Sequence, residues 1–177
     1  MSNYQLAIPD DNQIKVIYKW ETSEWNWSHI AGKTVNKKWS YDEYLLKLNE
    51  TIKNIRTPYR ILVNQDNKIL GTVKGYNYLE RNNSIIIGFY IPESNRNKGY
   101  GTKIVKLFVD ELFSNELLFV NRIIATTVET NEGSKKILEK NGFVLEGKLR
   151  ESLCVDGVKF TEYYYSMLRS EWERKRI

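Results

Sequence analysis

The chain has a single cysteine, Cys154, and a single histidine, His29, among its 177 residues. A lone thiol excludes an intramolecular disulfide, and one Cys with one His excludes the usual zinc-ligand sets, so no metal is expected. Long apolar runs are missing too: nothing approaches the roughly 20 residues of a membrane span. The opening MSNYQLAIPDDNQ lacks the basic n-region and apolar h-region of a secretory signal. These absences point to a cytoplasmic protein with no membrane partner. No internal repeat, low-complexity tract or Pro/Gly/Ser-rich linker interrupts the chain, so residues 1–177 are expected to form one domain.

What is present is the composition of a folded globular protein, 41% hydrophobic and 13% aromatic. The net charge of +5 is uneven, because residues 1–50 carry six Lys against seven Asp and Glu, which leaves +6 on the remainder. A basic C-terminal two-thirds suits an anionic ligand, either a nucleotide cofactor or nucleic acid, or is simply a solvated surface. No stacking-aromatic RNA signature accompanies it, so specific nucleic-acid binding is not expected.

Periodicity predicts a short helix over 10–20 with Ile14, Ile17 and Tyr18 inward. A second is predicted over 41–55, opened by the capping box Ser40-Tyr41-Asp42-Glu43. Between them Trp20, Trp25, Trp27 and Trp39 are either core or the wall of a substrate pocket. Residues 59–64 and 69–78 read as a hairpin about Gln65-Asp66-Asn67, and 84–91 as a third strand. A helix starts near Gly101, 122–128 is a strand, and 132–140 a helix closed by Asn141-Gly142. Last come strands 143–155 and 158–168, paired about Asp156-Gly157. The order α, α, β, β, β, α, β, α, β, β describes an α/β (α+β) chain with a mixed, largely antiparallel sheet.

The chemistry is concentrated in the turn Arg96-Asn97-Lys98-Gly99-Tyr100-Gly101-Thr102, between the third strand and its helix. A basic, glycine-containing turn at a helix N-terminus offers free N–H groups and the positive end of the helix dipole, which suits a pyrophosphate. It is neither a dinucleotide fingerprint, lacking the third Gly of G-x-G-x-x-G, nor a P-loop. About thirty residues on, Asn131-Glu132-Gly133-Ser134 is followed by Asn141-Gly142-Phe143.

Together, Arg96-x-x-Gly99-x-Gly101, Asn131-x-x-Ser134 and Gly142-Phe143 resemble the Gcn5-related N-acetyltransferase (GNAT) family over roughly 59–168. The Asn-x-x-Ser form and the stretch Leu145–Glu151 resemble its ribosomal-protein N-terminal acetyltransferase-like (RimJ/RimL-like) branch. The resemblance implies the GNAT fold, a mostly antiparallel central sheet flanked by helices. Substrate-facing helices would span about 10–55, an acetyl-coenzyme A core about 59–143 and a final hairpin about 143–168. It also implies acetyl-coenzyme A as co-substrate. The N–H groups of Arg96 to Gly101 would then cradle its pyrophosphate, with charge from Arg96, Lys98 and Lys103, and side chains at Gly99 or Gly101 would obstruct that approach. Phe89, Tyr90 and Ile91 would offer backbone groups to the pantetheine arm, and an N–H near Tyr90 or Ile91 would polarise the thioester carbonyl. Asn131 would bond the pantetheine or hold the strands apart.

In this branch the departing thiolate's partner would be Ser134, since the tyrosine that many members place four residues later is Leu138 here. Capping of its own helix is the other reading of Ser134. The acidic residue expected ten positions after Phe143 is replaced by Leu153. Two residues before it, Glu151 keeps the same strand parity, and Glu162 on the facing strand is the second candidate base. Either carboxylate is alternatively a surface group beside Arg150 or Lys159. His29 is a substrate-loop base or a structural residue, and Cys154 a strand residue rather than a nucleophile. The implied activity is acetyl transfer to a primary amine, on a small molecule or a peptide or protein N-terminus. A non-catalytic acetyl-coenzyme A sensor is the competing reading, and a homodimer is compatible with either.

Overall fold

A computed structural model describes residues 3–23, 40–115, 117–155 and 157–175. Trp25, Trp27, Trp39, His29 and Asp156 of the sequence reading lie outside these residues. The chain runs β1 (Tyr4–Ala7), α1 (Asp11–Ser23), α2 (Tyr41–Lys53), β2 (Tyr59–Asn64), β3 (Ile69–Leu79), β4 (Ser84–Tyr90) and α3 (Tyr100–Ser114). It continues β5 (Arg122–Val128), α4 (Glu132–Asn141), β6 (Val144–Val155), β7 (Val158–Leu168) and α5 (Arg169–Arg174). Two elements, β1 and α5, are additional to those expected.

Both N-terminal helices begin on reciprocal caps. The α2 box forms as predicted: the Glu43 N–H donates to Ser40 Oγ at 3.2 Å, and the Ser40 N–H donates to Glu43 Oε2 at 2.9 Å. An unforeseen counterpart opens α1, where the Gln13 N–H donates to Asp10 Oδ1 and the Asp10 N–H to Gln13 Oε1. Helix α4 ends at Gly142 in the left-handed region (φ 87°), as its Asn-Gly pair suggested.

The seven strands form one sheet in the order β1-β2-β3-β4-β5-β7-β6, antiparallel except where β4 meets β5. Alternation along the strands separates two apolar layers. Ile85 and Ile87 of β4 join Ile104, Phe108 and Leu112 of α3 and Leu138 of α4. On the opposite face Ile14 and Ile17 of α1 and Leu48 of α2 pack on Tyr59, Ile61 and Val63 of β2. Each such aliphatic side chain contributes about 1.5–3 kcal/mol on full burial. At the C-terminus Arg169 donates to the carbonyls of Val120 (2.8 Å) and Phe113 (2.7 Å), and Trp172 Nε1 donates to Asp110 (2.7 Å), which docks α5 against α3.

The parallel seam is short. β4 and β5 pair only at Ser84–Arg122, Ile85–Ile123 and Ile86–Ile124. Beyond it β4 stays with β3 up to the Tyr90–Thr72 pair, while β5 stays with β7 up to the Val128–Glu162 pair. The sheet therefore parts, and among the described residues Gly88 and Phe89 pair with β3 but no longer with β5.

Burial raises the phenol pKa of Tyr44 and Tyr59, and raises that of Tyr165 to about 12, where the Glu139 carboxylate accepting its O–H at 3.1 Å adds to the effect. Folded, these groups hold protons above pH 10, where an unfolded tyrosine releases them. The contribution of these phenols to stability should be constant below about pH 10 and be lost toward pH 12, by about 1.4 kcal/mol per pH unit for each phenol. Urea titrations across that range should show a shallower fall in Tyr165→Phe; an unchanged slope would contradict this.

Candidate active site

The basic turn is built by its own side chains. A short 3-10 turn, Glu93–Asn95, leads from β4, and Asn95 Nδ2 ties it to the Leu70 carbonyl at 3.1 Å. Arg96 Nε donates to the Ile91 carbonyl at 3.2 Å, and Lys98 Nζ to the Ser94 carbonyl at 2.8 Å. Both cations thus brace the turn as well as charging it. Asn97 (φ 60°) and Gly99 (φ 80°) are left-handed on either side of Lys98, which bends the chain into α3. The first helical bond runs from the Lys103 N–H to the Gly99 carbonyl, and no side chain caps the helix. The N–H groups of Tyr100, Gly101 and Thr102 are therefore left pointing out of the helix end.

The two glycines differ. A Cβ at Gly99 would meet nothing within 4 Å, so only its backbone conformation restricts it. One at Gly101 would come within 2.4 Å of Ile137 Cδ1 and 3.6 Å of Ile91 Cγ1. The close approach at Gly101 is that of α3 to α4 and to Ile91, just past the end of β4.

Asn131 is nearly buried at the junction of β5 and α4. Its Oδ1 accepts from the Ser134 N–H at 3.0 Å, so it caps the helix. Ser134 is half-buried in the first turn of α4. One turn later Leu138 is fully buried in the core.

The two candidate bases part company. Glu151 sits in a break of register between Leu149 and Leu153, in the left-handed region (φ 53°). The alternation that would give it the face of Leu153 does not run through this bulge, so the parity argument fails. Its carboxylate is exposed and accepts from Lys159 Nζ at 2.6 Å. Glu162 instead lies on β7 opposite Val128, where the sheet has parted, and accepts from Ser152 Oγ at 2.9 Å.

A residue the sequence reading passed over completes this region. The ring of Tyr76 on β3 lies over Gly88 of β4, with Cε1 3.4 Å from where a Cβ would be. Burial raises the Tyr76 phenol pKa, and the nearby Glu162 carboxylate and Tyr164 phenol raise it further. The Tyr76 phenol and the Glu162 carboxylate are thus near enough for the charge of one to act on the other, with the parting of β4 and β5 between their strands. On the same side the Trp20 ring of α1 sits 6.4 Å from that of Tyr90. The available signal was the alternation Thr72, Lys74, Tyr76, which places Tyr76 on one face but does not show what it meets there.

Residues 8–144 match the family model described as an acetyltransferase (GNAT) domain. The chain belongs to the GNAT acetyltransferase family. It is 32% identical over 111 residues to the provisionally named ribosomal N-acetyltransferase YdaF of Bacillus subtilis (strain 168), a match covering 63% of this chain and 60% of that protein. It is also 37% identical over 92 residues to the uncharacterized N-acetyltransferase YjdG of the same organism, covering 51% of this chain and 54% of that protein. The chain thus spans less than two thirds of the length of these relatives. Among solved structures, a spermidine N-acetyltransferase from Vibrio cholerae in complex with CoA and spermine superposes with a TM-score of 0.81 at 17% identity, covering 97% of this chain and 98% of that one. A ribosomal-protein-S5-alanine acetyltransferase from Vibrio fischeri gives 0.80 at 23% identity, over 97% and 96% of the two chains. These likenesses agree with the GNAT fold and with the RimJ/RimL-like branch. Among the described residues no helix is long and apolar enough to cross a membrane.

Proposed function

We propose that the protein is an acetyl-coenzyme A-dependent N-acetyltransferase that moves acetyl to a primary amine by direct attack in a ternary complex. The observation carrying this reading is the parted sheet, with an uncapped helix N-terminus at the end of β4 and Tyr76 and Glu162 over the gap.

The donor set suits the co-substrate. The N–H groups of Tyr100, Gly101 and Thr102, with the turn from Arg96 to Gly99, fit a pyrophosphate. The end of β4 and the residue after it, Phe89, Tyr90 and Ile91, where β5 has left the strand, suit an arm that carries amides. Asn131, its oxygen engaged by Ser134, has its amide NH2 group to offer. Bound, acetyl-coenzyme A supplies an activated acyl group.

The chain's own residues do the rest. A backbone N–H of Tyr90 or Ile91 stabilises the negative charge that develops on the carbonyl oxygen. Glu162 takes the proton that the acceptor ammonium must lose before its lone pair can form the new C–N bond. Ser134 donates its hydroxyl proton to the sulfur as the C–S bond breaks, and is reprotonated by the second proton that the newly acylated nitrogen loses, passed through solvent. The acceptor is a small-molecule amine or a peptide or protein N-terminus, approaching from the face of α1 and α2.

Incubation with acetyl-coenzyme A and a panel of amines and peptides should release free thiol with at least one acceptor. Tight co-substrate binding with no thiol release on any acceptor would favour a sensor instead. General-acid contributions run to about 10²–10⁴-fold, but water can stand in for a lost hydroxyl, so Ser134→Ala should lower kcat about tenfold or more. Calorimetry should find its acetyl-coenzyme A affinity nearly unchanged. Full activity would remove Ser134 from the mechanism.

A further inference from the structure

The β6–β7 ladder breaks beside the proposed base. Between the Leu149–Glu162 and Leu153–Phe160 pairs, Arg150, Glu151 and Ser152 of β6 stand against the single Thr161 of β7. A bulge of this kind bends its strand out of the ladder, and Glu151 is left-handed (φ 53°) within it. A non-glycine residue held in that conformation is strained, and such strain gathers where ligands bind. The bulge borders an open depression of about 590 Å³, lined by residues 148–152.

This depression adjoins Glu162. Leu149 stands opposite Glu162 in the ladder, so the two side chains leave the sheet on the same face. At the other end of the bulge, Ser152 donates from Oγ to Glu162 Oε2 at 2.9 Å. A molecule whose amine lies at Glu162 can therefore lay its next few atoms over the bulge.

Charge says what those atoms should be. The Glu151 carboxylate is already neutralised by Lys159 at 2.6 Å. Lys148 Nζ lies over the ring of Tyr163, which alternation puts on the opposite face from Glu162, at 4.8 Å. Arg150 is exposed and has neither an ion pair nor a hydrogen bond among the described residues. The depression thus carries an uncompensated guanidinium and no free carboxylate. A second ammonium on the acceptor would be repelled there, and a plain alkyl chain would leave the guanidinium unanswered. A carboxylate matches its planar fork of donors.

We infer that Arg150 receives a carboxylate of the acceptor, so that the preferred substrate carries an anion one strand spacing, about 5 Å, or more from its amine. The inference rests on the acetyltransferase reading, with Glu162 as base, for the placing of the amine. The contact with Arg150 can be read without turnover.

The probes are ω-amino acids, n-alkylamines and α,ω-diamines of matched length. NMR titrations of the full chain without acetyl-coenzyme A should give the amino acid a Kd about fivefold below that of the monoamine, the scale of an exposed ion pair, with the diamine weakest. This preference should fade in high salt. Arg150→Gln should equalise amino acid and monoamine, and Arg150→Glu should put the diamine first. The side chain is exposed, so both variants should melt with the parent. Short peptides with aspartate or alanine in second place show whether the carboxylate comes from a small amino acid or a peptide side chain. Equal binding of the three probes, or an amino-acid preference that survives both variants, would overturn the inference. With acetyl-coenzyme A present the two readings separate. An Arg150-dependent preference without thiol release keeps the anion contact and sinks the transferase. Thiol release at equal kcat/KM from all three acceptors, unchanged in both variants, keeps the transferase and sinks the contact.

Discussion

Glu162→Gln should lower kcat by at least about 100-fold, with acetyl-coenzyme A affinity unchanged, while Glu151→Gln stays within about threefold of the parent. The difference follows from where each carboxylate stands. Glu151 is exposed, paired with Lys159 and carried by a bulge whose backbone departs from the strand. Glu162 stands where the sheet has parted, held by Ser152, and its charge acts on the phenol of Tyr76. A base there borders the space between the parted strands, and a neutral amide in its place retains the Ser152 contact but cannot take a proton. The acidic limb of the kcat/KM profile should disappear in Glu162→Gln and persist in Glu151→Gln. If both variants keep it, the base is another group or the acceptor reacts from its own unprotonated fraction.

The second large effect is expected at Gly101. Glutamate there should abolish detectable acetyl-coenzyme A binding and also lower the melting temperature. A buried carboxylate against Ile137 and Ile91 cannot be solvated, so it must either open the contact of α3 with α4 or escape toward the helix end. Escape puts an anion among the N–H groups that would receive the pyrophosphate. Gly101→Ala is the control. Its Cβ displaces only the tip of Ile137, and the helical preference of alanine over glycine, about 1 kcal/mol, offsets part of the crowding. Alanine should therefore bind acetyl-coenzyme A nearly as well as glycine. Calorimetry and thermal melts on both variants decide the matter: unimpaired binding by Gly101→Glu would remove the turn from co-substrate recognition.

Much of this fold was legible because its signals are local. A capping box fixed the start of α2, Asn-Gly the end of α4, and the apolar blocks 59–64 and 122–128 coincide with β2 and β5. The two elements that escaped are short. The Tyr4–Ala7 strand and the six residues of α5 are too brief for any periodicity, and α5 is positioned by Arg169 and Trp172, whose partners lie about fifty to sixty residues away. The site was legible where it depends on a turn and illegible where it depends on register. No glycine announces the left-handed conformation of Glu151, so counting by twos went astray there. The charge of Glu162 acts on Tyr76 although β4 and β5 lie between their strands, and nothing along the sequence encodes that proximity.

The short seam between β4 and β5 has a consequence for how the reaction would end. In the proposed complex, a chain threaded along β4 where β5 has left it would act as a missing strand, and its contacts there would belong to the pantetheine arm rather than to the acetyl group. Free coenzyme A offers the same arm and the same pyrophosphate. Product should therefore hold the parted sheet nearly as well as substrate does, which makes departure of the thiol a natural slow step and places inhibition by the product within the architecture of the sheet.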